Sequence, residues 1–242
     1  MTLAFNQVAV IGAGAMGRGI AQIAAQAGSQ VWLYDTQPEA IQKAIVAVHQ
    51  VWDTLATKGR LDQDTVSAYK SRLQSATALN DLKSCELVVE AIVERLDIKK
   101  SLFTELENLL PESAVLVTNT SSLSVTAIAA ALKRPGNFAG YHFFNPVPLM
   151  KVVEVIAGLK THPEVCEKLT TFATHMGHTP VQANDTPGFI VNHAGRGYGT
   201  EALRIVSEGV ADFATIDRIL KDQVGFKPVS YTHLRAHETP EH

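Results

Sequence analysis

His142 closes an apolar run, Tyr141-His142-Phe143-Phe144-Asn145-Pro146, and Glu154 sits inside a second one, Lys151-Val152-Val153-Glu154-Val155-Ile156. A carboxylate in such a run is expensive to bury unless it is paired. If the second run folds back along the first, Glu154 meets the imidazole. A buried His–Glu pair is equipment for general acid–base chemistry, because the carboxylate orients the ring and stabilises its charged form. The alternative is a satisfied core histidine and an exposed glutamate at a sheet edge.

A second constellation lies near the N-terminus. Gly12-Ala13-Gly14-Ala15-Met16-Gly17 is a GxGxxG between an apolar run, Gln7–Ile11, and a helical pattern from Met16 to Ala27. The first glycine permits a tight turn, and the second lets the backbone approach a pyrophosphate. The third lets the helix pack on the sheet, and the helix N-terminus faces the anion. A second apolar run, Gln30–Tyr34, ends at Asp35. An acidic residue there accepts hydrogen bonds from a ribose and repels a 2′-phosphate. Thr36 and Gln37 supply no cation for such a phosphate, so NAD is favoured over NADP. The alternative for these glycines is tight helix–sheet packing without a ligand.

Two polar positions join these. Asn119-Thr120-Ser121-Ser122-Leu123-Ser124 follows the apolar run AVLVT, and ligands bind at the carboxyl ends of parallel strands. It also reads as a plain loop with Ser124 capping the next helix. Asn192 lies in a helix opened by DTPGFIVN, about one and a half turns in, with an exposed helix position as the alternative.

The elements that must position these groups alternate. Strands are expected at Gln7–Ile11, Gln30–Tyr34, Glu86–Ile92, Ala114–Thr118, Phe138–Phe144, Val152–Ile156 and Thr179–Gln182. Helices are expected at Met16–Ala27, Pro38 to about Lys58, Asp62–Leu73, Asp97–Leu110 and Ser124–Leu132. The second and third of these form a hairpin inserted between strands. Such alternation implies an α/β fold with a mainly parallel, Rossmann-type sheet. Near Asp185–Pro187 the pattern becomes purely helical. Asp185 or Thr186 can cap there, with Pro187 at the first helical position. The expected domains are 1–185 for the sheet, 186–227 for an incomplete all-helical domain, and 228–242 as a tail foreign to the fold.

That tail is singled out because Val229–Thr239, VSYTHLRAHET, matches a conceptual translation of a transposase sequencing adapter. A histidine metal site at His233, His237 and His242 is the alternative reading, and no metal is expected elsewhere. The chain has 242 residues, 46% hydrophobic and 19% charged, with a formal charge of −3. This excludes disorder and a disulfide scaffold, and gives no electrostatic footprint for nucleic acid. No apolar run is long enough for a membrane span. Two cysteines suit a reducing cytoplasm.

Taken in order, VAVIGAGAMGRGIA, LVVEAIVERLDIKK, TNTSSLSVTAIA, GYHFFNPVPLMKVVEVI and DTPGFIVN resemble the short-form L-3-hydroxyacyl-CoA dehydrogenases, including 3-hydroxybutyryl-CoA dehydrogenases. The resemblance covers the chain to about Lys227. It implies reversible NAD-dependent oxidation of a 3-hydroxyacyl-CoA to a 3-oxoacyl-CoA in fatty-acid metabolism. His142 is similar to the family's base and Glu154 to its partner. Ser121 and Asn192 resemble polar contacts to the substrate, and Ser121 also lies near the nicotinamide. Gly12, Gly14, Met16, Gly17, Asp35, Glu94, Lys99, Asn119 and Asn145 correspond to positions around NAD. Lys58 and Arg60, at the hairpin tip, are candidates for the coenzyme A phosphates, with a solvated charged turn as the alternative.

The resemblance also implies that the full-length form is a homodimer and that this chain is a C-terminal truncation. Apolar helix faces around Ile205 and Ile219 are then expected to be exposed. Three alternatives remain: a β-hydroxyacid dehydrogenase with a lysine base, a non-catalytic Rossmann protein, and a truncated fragment that binds NAD without turnover. The lysine-type enzyme is disfavoured, because the helix carrying Asn192 has no lysine before Lys221.

Overall fold

The computed structural model describes residues 3–225. The chain divides into two compact units after Phe189.

The first unit is built on an eight-stranded sheet. Its strands are β1 (Gln7–Ile11), β2 (Gln30–Tyr34), β3 (Leu73–Ser75), β4 (Leu87–Glu90), β5 (Val115–Thr118), β6 (Phe138–Phe143), β7 (Val152–Ala157) and β8 (Thr179–Asn184). They lie in the order β3-β2-β1-β4-β5-β6-β7-β8. Every neighbouring pair is parallel except β6 and β7. Helices α1 (Ala15–Ala27), α2 (Pro38–Thr57), α3 (Gln63–Arg72), α4 (Leu96–Leu109), α5 (Val125–Ala129) and α6 (Pro163–His175) connect them.

Side chains alternate across a strand, so each strand feeds two cores. Val8, Val10, Val31 and Leu33 join one cluster with Trp52 and Phe172. Ala9, Ile11, Val88 and Leu116 join the other with Phe103 and Phe138. Burial on both faces explains why the central strands read as near-continuous apolar runs.

Several elements differ from the expectation. Leu73 belongs to the edge strand β3, and α3 ends at Arg72. Three residues are too few to show a period of two. The helix α6 had no counterpart in the sequence reading, although Pro163 stands at its first position and Val165, Leu169, Phe172 and Ala173 line its buried face. The helix expected at Ser124–Leu132 shortens to Val125–Ala129, with the Ser124 hydroxyl accepting from the Ala127 N–H at 3.1 Å.

The largest correction concerns Asp185–Pro187. No helix starts there, because Gly188 (φ 79°) and Phe189 (φ 48°) adopt left-handed backbone that a right-handed helix cannot contain. The Asp185 carboxylate instead accepts hydrogen bonds from the Ser124 hydroxyl (2.8 Å) and the N–H groups of Val125 (2.9 Å) and Thr126 (2.8 Å). It caps α5, which lies far back in the chain.

The second unit contains α7 (Val191–Ser207) and α8 (Phe213–Asp222). Asp212 caps α8 by accepting from the Thr215 N–H at 2.7 Å. Ala202 and Ile216 are the buried residues of the two helices. Ile219 is exposed and Ile205 half-buried. The expected tail, 228–242, with His233, His237 and His242, lies outside the described residues. Among the described residues no helix is long and apolar enough to cross a membrane, and no cluster of metal-ligating side chains occurs.

Candidate active site

The glycine turn joins β1 to α1. Gly12 has φ 104°, and a side chain there would collide with the Ala91 carbonyl. At Gly17 a side chain would collide with the Gly12 carbonyl, so the helix can sit this close only without one. Gly14 differs, because a Cβ there would meet nothing within 4 Å. Its lack of a side chain leaves open space at the start of α1, which suits the approach of a pyrophosphate. Met16, one residue into the helix, is half-buried. The Asp35 carboxylate accepts from the Ala13 N–H (2.8 Å) and the Gln37 N–H (2.9 Å). It therefore braces the glycine turn, and each oxygen keeps acceptor capacity for a ribose hydroxyl. These residues fit a dinucleotide.

His142 and Glu154 are cross-strand partners in the antiparallel β6–β7 pair. Residues opposite each other in such a pair project from the same face. His142 Nδ1 lies 2.7 Å from Glu154 Oε2. Glu154 is 0% exposed, which removes the edge-glutamate alternative, since β8 covers β7 on its outer side. The carboxylate can only accept here, so Nδ1 carries the proton and Nε2 is the nitrogen left for exchange. The rings of Phe144 and Phe189 lie 4.5 Å and 5.6 Å from the imidazole, centroid to centroid.

The loop after β5 is held by carboxylates. Glu94 Oε1 accepts from the Thr120 hydroxyl, the Ser121 N–H (3.0 Å) and the Ser122 N–H (3.3 Å) and hydroxyl (3.2 Å). Burial pushes this carboxyl upward. The Thr120 hydroxyl, the Lys99 ammonium and the Ser121 N–H outweigh burial and hold it below the usual range. Ser121 is exposed. Asn119 accepts at Oδ1 from the Phe143 N–H at 2.8 Å, tying this loop to the residue after His142.

Lys99 is 1% exposed, between Glu90 Oε1 (2.5 Å) and Glu94 Oε2 (3.2 Å). Glu90 was absent from the sequence reading. It ends β4 and also accepts from the Ile92 N–H and the Thr118 hydroxyl, each at 2.7 Å. The signal existed: ELVVEAI is an apolar run holding a carboxylate, as KVVEVI is.

The remaining expected residues lie in loops or at a helix start. Asn145 is exposed in the loop after β6, and its peptide to Pro146 is cis. Lys58 and Arg60 are exposed at the tip of the α2–α3 hairpin, on either side of Gly59. Asn192 is the second residue of α7 rather than a position further along it.

A mainly parallel sheet, a glycine turn at the carboxyl end of its first strand and an acidic residue ending the second define a Rossmann-type, dinucleotide-binding fold. Residues 7–186 match the 3-hydroxyacyl-CoA dehydrogenase NAD binding domain, and residues 188–234 match the C-terminal domain of the same family. The chain belongs to the 3-hydroxyacyl-CoA dehydrogenase family, whose members are NAD-dependent oxidoreductases.

It is 45% identical over 236 residues to the 3-hydroxyadipyl-CoA dehydrogenase of Escherichia coli K12, covering 97% of this chain and 50% of that protein. It is 43% identical to a probable 3-hydroxybutyryl-CoA dehydrogenase of Deinococcus radiodurans, covering 88% of this chain and 76% of that one. The crystal structure of a 3-hydroxybutyryl-CoA dehydrogenase from E. coli K12 superposes with a TM-score of 0.88 at 46% identity, over 90% of this chain and 46% of that chain. The chain spans about half the length of these two E. coli relatives. The family match runs to residue 234, into the segment expected to stand apart.

Proposed function

We propose that this chain carries out the reversible NAD-dependent oxidation of a (S)-3-hydroxyacyl-CoA to the 3-oxoacyl-CoA, with His142 as general base. The observation that carries this reading is the 2.7 Å contact between His142 Nδ1 and Glu154 Oε2 on adjacent strands. Bound NAD would supply the hydride acceptor. Gly12, Gly14, Met16, Gly17 and Asp35 would hold it, with Glu94, Lys99, Asn119 and Asn145 nearby.

The protein's own part is a proton transfer. His142 Nε2 accepts the 3-hydroxyl proton in oxidation and returns it in reduction. Glu154 keeps the proton on Nδ1 and stabilises the imidazolium formed when Nε2 is loaded. A positioned base contributes typically about 10²–10⁴-fold. Ser121 is proposed to hydrogen-bond the 3-oxygen, Asn192 to give a second substrate contact, and Lys58 and Arg60 to meet the coenzyme A phosphates. The protein is proposed to be cytoplasmic, with a homodimeric complete form that engages neither nucleic acid nor membrane.

The test is consumption of NADH with acetoacetyl-CoA, measured by absorbance, in the wild type and in His142→Gln. Turnover that disappears in the variant supports the reading. NADH binding without turnover in the wild type favours a cofactor-binding fragment.

A further inference from the structure

Phe189 is the one non-glycine residue with positive φ among the described residues. A bulky side chain in this backbone region is an outlier, which persists only where the surroundings over-determine it. The surroundings here are specific. Phe189 is 5% exposed and belongs to the apolar cluster of Val125 and Ile156. Its ring lies 5.6 Å from the His142 ring at an interplanar angle of 58°.

The start of the same turn is fastened independently. Asp185 accepts three hydrogen bonds from Ser124, Val125 and Thr126. The Phe189 N–H closes the turn by donating to the Thr186 carbonyl at 2.9 Å. Asp185 thus anchors the turn to the element that follows the Asn119–Ser124 loop, and Gly188 (φ 79°) swings the next residue toward β6.

We propose that the Asp185–Phe189 turn is a positioning device for His142. Glu154 fixes one nitrogen of the imidazole, and the Phe144 ring packs 4.5 Å away. The Phe189 ring, placed by the left-handed backbone 5.6 Å from the imidazole, adds the second aromatic wall that limits its pivot about that hydrogen bond. Phe189 is a positioning residue: it has no polar atom to offer a substrate and acts only through the imidazole. This inference rests on the reading of His142 as the base.

The experiment compares wild type, Phe189→Leu, Phe189→Tyr and Asp185→Asn, each with NADH binding as a folding control. Three readouts are taken: kcat against KM for acetoacetyl-CoA, NADH affinity, and the downfield Nδ1–H proton resonance of the His142–Glu154 pair. That resonance is assigned by its loss in His142→Gln. In Phe189→Leu, kcat is expected to fall by up to about 10²-fold, the scale of a misplaced catalytic group. KM and NADH affinity stay near wild type, and the resonance broadens or disappears. Phe189→Tyr keeps the ring and restores both kcat and the resonance. A Phe189→Leu enzyme with wild-type kcat and an unchanged resonance overturns the proposal. If Phe189→Leu does not bind NADH, Asp185→Asn decides: a shifted resonance supports the device, and an unaltered one overturns it. If the wild type shows no turnover, the proposed activity fails, while the resonance still reports whether Phe189 holds the imidazole.

Discussion

Glu90 and Glu154 are both fully buried, and each sits in an apolar strand of the same sheet. Their partners differ. Glu90 faces the Lys99 ammonium, the Thr118 hydroxyl and the Ile92 N–H. These contacts tie β4, α4 and β5 together, so the cluster serves as a frame. Glu154 faces an imidazole, the one side chain whose ordinary range lets it gain or lose a proton near neutrality. The same expensive burial supports architecture in one place and proton transfer in the other. What separates the two roles is the partner's chemistry, not the carboxylate's depth.

Substitutions can break this comparison. His142→Gln should show the largest effect, a loss in kcat of about 10²–10⁴-fold, with NADH affinity and unfolding midpoint close to wild type. An active His142→Gln would move Glu154 into the frame category. Glu90→Gln should do the reverse. It leaves the Lys99 ammonium buried without its principal counter-charge, which costs about 3–5 kcal/mol of stability. Urea unfolding checks this, and a variant as stable as wild type would mean that Glu94 alone compensates Lys99. Glu154→Gln should fall between the two, slowing turnover less than His142→Gln. Its stability cost should be only about 1 kcal/mol, because the amide oxygen can still accept from Nδ1.

A smaller effect is expected at the cofactor end. Asp35→Asn removes the charge that repels a 2′-phosphate, so the preference for NADH over NADPH should shrink by about tenfold, or about 1.4 kcal/mol. Measured affinities for both cofactors test this.

The smallest effect concerns acid. Burial pushes the Asp185 carboxyl upward, but hydrogen bonds from Thr126, Ser124 and Val125 outweigh it and hold it below its usual range. A carboxyl lowered in the folded state adds stability above its unfolded value. That stability is lost as pH falls through the lowered folded value. Asp185→Asn should therefore lower the urea midpoint at neutral pH and flatten the acid side of the stability-against-pH curve, so that variant and wild type converge at low pH.

Much of this was legible in the sequence. Apolar runs bounded by glycine, proline or acidic residues announced β1, β2, β5, β6 and β7. The cost of burying Glu154 pointed to its partner before any strand pairing was known. The same argument applied to Glu90 went unused, because its partner Lys99 lies in a helix where a lysine reads as solvated. Asp185 was misread for a related reason. A capping residue next to a proline suggests the helix that follows, and nothing local reveals that it caps α5, some sixty residues earlier. Phe189 could not be foreseen, since no local propensity specifies positive φ at a phenylalanine.

The antiparallel β6–β7 pair has a consequence for how the chain tolerates change in length. His142 and Glu154 meet through strand register alone, and side chains alternate between faces with a period of two. The connection between them passes through Leu149, which is 75% exposed. An extra residue after Leu149 lengthens a loop and leaves the pairing as it was. An extra residue between Glu154 and Val155, with Val155–Ala157 held in register, sets Glu154 opposite Phe143 on the other face and separates base from carboxylate, with no chemical group removed. Parity, counted in single residues, guards this site as strictly as the identity of its side chains.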